Sequence, residues 1–204
     1  EKNISIAMDL DGSTGFKYVR DIRSLDDFNG VWNLRINDLG DEFMISSSQM
    51  GPFPEGLQVG LVNINERKVL LNFLDHKEVI LNNKNSVYDL KVIAGDQEYV
   101  KSMSQEILSS IPEEFSLGQN YPNPFNPITQ MEYSLPQSSK VVISIYNVLG
   151  QEIKTLIHKE QDYGYHSVSW DGTDRLGKSV ASGVYFTQMR SGGFSQSKKM
   201  LLLK

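Results

Sequence analysis

The sequence predicts an all-β protein built from two tandem β-sandwich domains. Apolar and polar residues alternate with a period of two, which is typical of half-buried strands rather than helices. Glycine, proline, asparagine or aspartate interrupts these runs every 8–12 residues or so, the spacing expected of sandwich turns. A chain of 204 residues with 39% hydrophobic content is long enough to bury two modest cores.

Short alternating runs fill the first predicted domain, residues 1–95. Trp32 and Leu34 alternate with Asn33 and Arg35, so one face of this strand is expected to be buried and the other exposed. The same pattern predicts further strands at Ile4–Met8, Glu42–Ser46, Leu57–Leu61, Lys68–Leu74, Glu78–Leu81 and Val87–Ala94.

The alternation stops after Gly95. Residues 96–114 are mostly polar and charged, and Ile107, Leu108 and Ile111 give only a weak helical pattern. Such composition between two patterned regions predicts a short polar linker over residues 96–114.

The second predicted domain, residues 115–204, opens with a proline-rich segment, Tyr121–Pro127. Its three prolines fix φ and restrict the preceding residues to extended geometry, so neither a helix nor a central strand is expected there. Strands are predicted at Gln130–Leu135, Lys140–Tyr146, Glu152–His158, Tyr165–Trp170, Val184–Arg190 and Phe194–Leu203. Turn residues such as Asp171-Gly172 and Gly192-Gly193 separate them.

Composition excludes several classes of function. The formal charge of -5 provides no basic field for nucleic acid or anionic lipid. With no cysteine, disulfides, thiolate metal sites and cysteine nucleophiles are excluded. No apolar run approaches the roughly 20 residues of a transmembrane helix. Because the chain starts at Glu1 without a leader, we expect a processed product or a piece of a longer protein.

Four motifs of the second domain carry a resemblance to a known family. They are Phe115–Asn120 with the proline-rich segment, Ile145–Gly150, Val168–Gly172 with Ala181–Phe186, and the tail Lys198–Lys204. In this order they resemble the C-terminal sorting domain of type IX (Por) secretion substrates, an immunoglobulin-like β-sandwich.

The resemblance implies a non-enzymatic sorting signal in a secreted or cell-surface bacterial protein. It implies passage through the periplasm, recognition by an outer-membrane translocon, and in many members removal by a surface sortase with attachment of the cargo to lipopolysaccharide. We expect the sortase to cut within residues 96–114. The residues expected to contact the translocon are Pro122, Asn123, Pro124, Gly183, Tyr185, Lys198, Lys199 and Lys204.

The first domain resembles an immunoglobulin-like module found before such sorting domains, through Gly30–Ile36, Pro54–Leu57 and Val87–Val92. This resemblance implies a spacer or accessory role, with any catalytic domain further upstream. Two alternatives stay open. The first domain could bind carbohydrate or protein through an exposed aromatic such as Phe16 or Tyr18, or both domains could be structural subunits of an extracellular assembly.

Chemical motifs are few, and no catalytic or cofactor-binding residue is proposed. Asp9-Leu10-Asp11 resembles the first motif of haloacid-dehalogenase phosphatases, but that fold alternates strands and helices, whereas an all-β pattern follows here. Calcium is the one metal ion for which the sequence offers a set of ligands. Asp9 and Asp11 with Asp26 and Asp27 offer oxygen ligands, although EF-hand spacing is absent.

The remaining polar and aromatic candidates favour structural roles. Asp171–Asp174 is first a hairpin signal. The histidines lie too far apart in sequence to form a motif: His76, His158 and His166. Trp32 and Trp170 alternate with apolar residues, so both are predicted to lie in cores rather than on a sugar-binding surface.

Overall fold

The computed structural model describes residues 6–7, 18–19, 29–37, 42–46, 55–70, 78–82 and 87–203. The chain divides into two compact units, Glu1–Ser110 and Ile111–Lys204. Every ladder between named strands is antiparallel. The predicted all-β, immunoglobulin-like sandwich class is therefore confirmed. Within the described part of the chain, every helix is too short or too polar to span a lipid bilayer.

The first unit contains eight of the described strands and one helix. Their bounds are β1 Ile6–Ala7, β2 Tyr18–Val19, β3 Gly30–Asn37, β4 Glu42–Ser46, β5 Gln58–Asn63, β6 Lys68–Leu70, β7 Glu78–Asn82, β8 Val87–Gly95 and α1 Gln97–Ser110. The main sheet has the order β3-β8-β5-β6, and β1-β2 and β4-β7 form separate pairs.

Cross-strand register aligns three apolar residues on one face of the main sheet. Trp32 pairs with Val92, which in turn pairs with Leu61. All three side chains are buried, as the alternation of β3 predicts. The predicted core position of Trp32 is confirmed.

The linker prediction is wrong for residues 97–110, which form helix α1. Asp96 caps this helix, since its carboxylate accepts a hydrogen bond from the Tyr99 amide at 2.8 Å. Val100, Ser104 and Ile107 form its buried side. At Gly60 on β5, an added Cβ would lie 2.8 Å from Val100 Cγ1. The glycine therefore allows the helix to approach the outer face of the sheet closely.

The second unit contains seven strands. Their bounds are β9 Ser116–Leu117, β10 Thr129–Leu135, β11 Ser139–Asn147, β12 Glu152–Gln161, β13 Gly164–Trp170, β14 Gly183–Ser191 and β15 Phe194–Leu202. They form a three-stranded sheet, β13-β10-β9, and a four-stranded sheet, β12-β11-β14-β15. All six strands predicted for this domain are present; β9 was not predicted.

One hydrophobic core joins the two sheets of the second unit. Met131 and Leu135 on β10 belong to the same buried cluster as Ile143 on β11 and Met200 on β15. Trp170 at the end of β13 is 1% exposed and lies in this cluster. Its predicted core position is confirmed, and the cluster identifies the unit as a sandwich.

Candidate functional site

The proline-rich segment lies along the outer edge of the last strand, β15. The Phe125 amide donates to the Leu201 carbonyl at 3.0 Å, and the Leu203 amide donates to the Phe125 carbonyl at 2.9 Å. Asn123 Oδ1 accepts from the Leu201 amide at 3.0 Å. Gln119 Nε2 donates to the Lys199 carbonyl at 2.8 Å. We call this set of bonds the C-terminal latch, because it pairs an edge strand that would otherwise be open.

A buried polar pair holds the start of the latch in shape. Asn120 Nδ2 donates to the Thr129 hydroxyl at 2.9 Å and to the Pro122 carbonyl at 3.0 Å. The Thr129 hydroxyl donates to that same carbonyl at 2.8 Å. Asn120 and Thr129 are 2% and 1% exposed, so each bond satisfies a group that water cannot reach.

Three aromatic rings anchor the latch to the core. Phe125 is buried and its ring centroid lies 5.6 Å from that of Trp170, which lies 5.1 Å from Tyr185. The Trp170 indole donates to the Thr173 carbonyl at 2.9 Å, and the Tyr185 hydroxyl donates to the Ala181 carbonyl at 2.8 Å. Burial raises the pKa of Tyr185, so the phenol stays a neutral donor. The rings thus position the loops of this end of the sandwich.

Strand register brings the latch, the β11–β12 connection and the β13–β14 connection to the same end of the second unit. β11 ends at Asn147, which pairs with Tyr185 near the start of β14. β10 begins at Thr129 opposite the end of β13, and β14 begins at Gly183 opposite Leu202. The β13–β14 connection reaches β12, where the Arg175 amide donates to the Ile153 carbonyl at 3.1 Å.

This end of the sandwich concentrates exposed apolar side chains. The described residues include seven large hydrophobic side chains that are exposed, and all except Tyr165 lie here. They are Tyr121, Ile128, Val148, Leu149, Leu176 and Leu203, with exposed fractions from 49% to 83%. We call this surface the apolar end. A group of exposed apolar residues of this kind marks an interaction surface more often than chance scatter.

An acidic turn in the β13–β14 connection is built by its own carboxylates. Asp171 Oδ1 accepts from the Thr173 hydroxyl at 2.6 Å and from Lys154 Nζ at 3.2 Å. The Thr173 bond, aided by Lys154, lowers the pKa of Asp171. Asp174 Oδ1 accepts from the amides of Leu176 and Lys178. These bonds agree with the structural role predicted for this turn.

The residues predicted to contact the translocon fall into different environments. Pro122, Asn123 and Pro124 are exposed in the latch. Lys199 is exposed and Lys198 is half-buried on β15, beside the latch. Tyr185 is only 7% exposed and belongs to the core. Gly183 has φ 152°, a conformation that favours glycine. Lys204 lies outside the described residues.

Several other candidates also lie outside the described residues: Asp9, Asp11, Phe16, Asp26, Asp27 and His76. The side chain of Tyr18 is likewise not described. Among the residues that are described, no group of three or more histidines, aspartates or glutamates is placed to hold a metal ion. His166 stacks on Tyr133 with centroids 5.3 Å apart.

Sequence reasoning missed the six residues of the apolar end. Val148 and Leu149 precede Gly150 in a tight turn, where the Gly150 amide donates to the Asn147 carbonyl at 3.0 Å. Large apolar residues are unusual at turn tips, which favour glycine, asparagine and aspartate. That mismatch between residue type and turn position was the available signal.

Comparison with known proteins supports an immunoglobulin-like module. Residues 128–193 match the family model of the FlgD Ig-like domain. This match spans β10 to the end of β14 and lies wholly within the second unit. A search of curated protein sequences finds no match to the chain.

Three solved structures are similar to parts of the chain. FlgD from P. aeruginosa is 23% identical over 36% of this chain and 57% of its own, with a TM-score of 0.30. PorZ, described as a surface component of the type IX secretion system of Porphyromonas gingivalis, is 16% identical over 95% of this chain, with a TM-score of 0.33. Dimeric latent PorU from the same organism is 12% identical over 93%, with a TM-score of 0.36. The chain spans 24% of PorZ and 22% of PorU.

Proposed function

We propose that the second unit is a type IX sorting domain, which directs a secreted protein to the outer-membrane translocon. The C-terminal latch carries the proposal. It joins the proline-rich segment and the terminal strand, which contain two of the four motifs that carry the resemblance to that family. A sorting signal that includes the last strand needs that strand to stay paired on its open edge, and the latch supplies this pairing.

The translocon contacts the apolar end and the adjacent latch. Protein interfaces bury a small set of aromatic and aliphatic anchors inside a polar rim. Tyr121 and Leu149 offer such anchors at 83% and 78% exposure. Asn123 and Lys199 supply polar groups in the latch, where Asn123 accepts from the Leu201 amide and the Lys199 carbonyl accepts from Gln119. Buried Tyr185 does not contact the translocon but positions the turn at Ala181 through its hydrogen bond. The first unit serves as a non-catalytic spacer.

A matched pair of tyrosines tests this surface. The full chain, behind a reporter and an inner-membrane export leader, is expressed in a bacterium with a working type IX system. Tyr121→Ser should lower surface delivery by about tenfold, the effect of losing one interface anchor. Tyr165→Ser is the control, because Tyr165 is 75% exposed but lies outside the apolar end. Equal delivery by the two variants would contradict the proposed surface.

Cleavage by a surface sortase would fall after helix α1. Residues 97–110 are helical with a buried side, which protects their backbone. Residues 111–115 are neither helix nor strand, and Glu113 and Glu114 are exposed. Intact-mass measurement of the released cargo should place its new C-terminus within 111–115. A cut inside residues 97–110 would show that the helix unfolds before cleavage.

A further inference from the structure

A second surface of the second unit adjoins the apolar end at Gln130, whose backbone pairs with that of Tyr121. The outer face of the three-stranded sheet carries a groove of about 490 Å³, within the range of roughly 300–1,000 Å³ usual for small-molecule sites. Alternation along β10 and β13 directs Glu132 and Ser167, which are cross-strand partners, to this face. Ser134 and Tyr165 form the next outward pair. Ser116 and Gly118 complete the wall.

The hydrogen bonds of the groove determine which hydroxyl groups donate and which can still accept. Ser134 Oγ donates to the Glu114 carbonyl at 2.9 Å and lies 2.7 Å from Ser116 Oγ. A serine has one O–H, so Ser116 must donate to Ser134. The Ser116 oxygen therefore keeps acceptor capacity. In the described part of the chain, the side chains of Gln130, Glu132 and Ser167 make no hydrogen bond, which leaves an amide, a carboxylate and a hydroxyl for a ligand.

The lining chemistry selects the class of ligand. Tyr165 offers an exposed aromatic surface with a polar tip, which suits the C–H face of a sugar ring. The neighbouring groups alternate donors and acceptors, as a set of sugar hydroxyls requires. Among the described residues, none that lines the groove is a lysine or arginine, and Glu132 repels anions, so phosphates and acidic sugars are disfavoured. We propose that this groove binds a neutral oligosaccharide, with Tyr165 as the stacking platform and Glu132 as the main hydroxyl acceptor.

Nuclear magnetic resonance titration of the full chain tests the groove. Maltotriose, cellotriose and mannotriose serve as probes, each up to its solubility limit. At least one should shift the amide signals of Ser116, Glu132 and Ser167. Tyr165→Ser should weaken that binding by about tenfold, the scale of a lost aromatic contact. Lys159→Ser, an exposed position on β12 of the other sheet, should bind as the unchanged chain does.

Glu132→Gln tests the selectivity separately. The glutamine side chain keeps an acceptor oxygen but carries no charge. A trisaccharide ending in glucuronate should therefore bind this variant more tightly than it binds the unchanged chain, and the difference in affinity between neutral and acidic sugars should become smaller. Substitutions of exposed residues usually alter stability little, and the amide spectrum of each variant reports its folding. Absence of shifts with all three neutral probes, or equal binding by Tyr165→Ser, would overturn the proposal.

Discussion

The two ends of the second unit use their turns differently. The apolar end carries six exposed large hydrophobic side chains. At the opposite end, the connections at residues 136–138, 162–163 and 192–193 expose none among the described residues. There the Tyr163 amide simply donates to the Ser138 hydroxyl at 3.3 Å. Both ends close the same sandwich, so the exposed apolar residues are not a requirement of the fold.

The ends also differ beneath their surfaces. Phe125, Trp170 and Tyr185 form a buried aromatic cluster under the apolar end. Near the opposite end, Phe115 and Phe194 stack with centroids 5.6 Å apart, but both are only partly buried. An exposed apolar surface over a rigid aromatic base is suited to binding with little loss of conformational entropy. The contrast supports the proposed role of the apolar end in recognition.

Truncation of one phenylalanine side chain at each end should have the largest effect on stability and tests whether the two ends differ. Phe125→Ala removes a ring that is 2% exposed, which should lower the free energy of unfolding by about 3–5 kcal/mol. Phe194→Ala should cost clearly less, because its site is partly open and leaves a smaller cavity. Urea unfolding followed by Trp170 fluorescence, in a Trp32→Phe background, measures both. Equal losses in the free energy of unfolding would show that the two aromatic clusters contribute equally to stability.

The latch itself should respond to a smaller change. Asn123→Ala removes the acceptor for the Leu201 amide, and a lost hydrogen bond of this kind costs about 1 kcal/mol. Hydrogen exchange at the Leu201 amide should then accelerate about fivefold. Asn123→Asp keeps an acceptor oxygen and should protect the amide. Asn126→Ala, an exposed asparagine of the same segment, is the matched control. The idea fails if Asn126→Ala accelerates exchange as much as Asn123→Ala.

The strands of both units were predictable because alternation reports burial directly. Val141, Ile143 and Ile145 are fully buried on β11, as their spacing predicts. Helix α1 was missed because its buried side is short and includes a polar residue. Ser104 is buried only because its hydroxyl donates to the Val100 carbonyl at 2.6 Å. The signal lay instead in β5, where Val59–Val62 is a continuous run that is buried on both faces and therefore needs a second covering layer.

The candidate site was predictable only in part. The prolines indicated an extended segment, and the resemblance connected it with the tail. The hydrogen bonds between them join residues about 80 positions apart in sequence, such as Gln119 and Lys199. Neither alternation nor turn chemistry reports such pairing. The apolar end was hidden for the same reason, since its six residues are scattered from Tyr121 to Leu203 and reach the same end of the unit only after the strands align.

The pH dependence of the acidic turn tests which interactions stabilise the loops of the apolar end. The folded-state pKa of Asp171 lies below its ordinary value of 3.8, which we take for the unfolded chain. The carboxylate therefore stabilises the fold at pH values above the unfolded pKa, and this contribution disappears as the pH falls through the folded pKa. The effect should be the smallest considered, because the Asp171 side chain is 54% exposed and solvent screens its interactions.

Two substitutions compare the causes of this pKa shift, which are linked because Lys154 Nζ also donates to the Thr173 hydroxyl at 2.7 Å. Thr173→Val removes the 2.6 Å hydroxyl bond to Asp171 and should raise the pKa of Asp171 toward its ordinary value. Lys154→Met removes a longer contact of 3.2 Å and should raise the pKa less, since the Thr173 hydroxyl bond is the largest single cause of the shift. Carboxyl titration by nuclear magnetic resonance distinguishes the two. A larger change in Lys154→Met would mean that an ion pair between strand β12 and the turn, rather than the turn's own hydrogen bond, holds this loop of the apolar end.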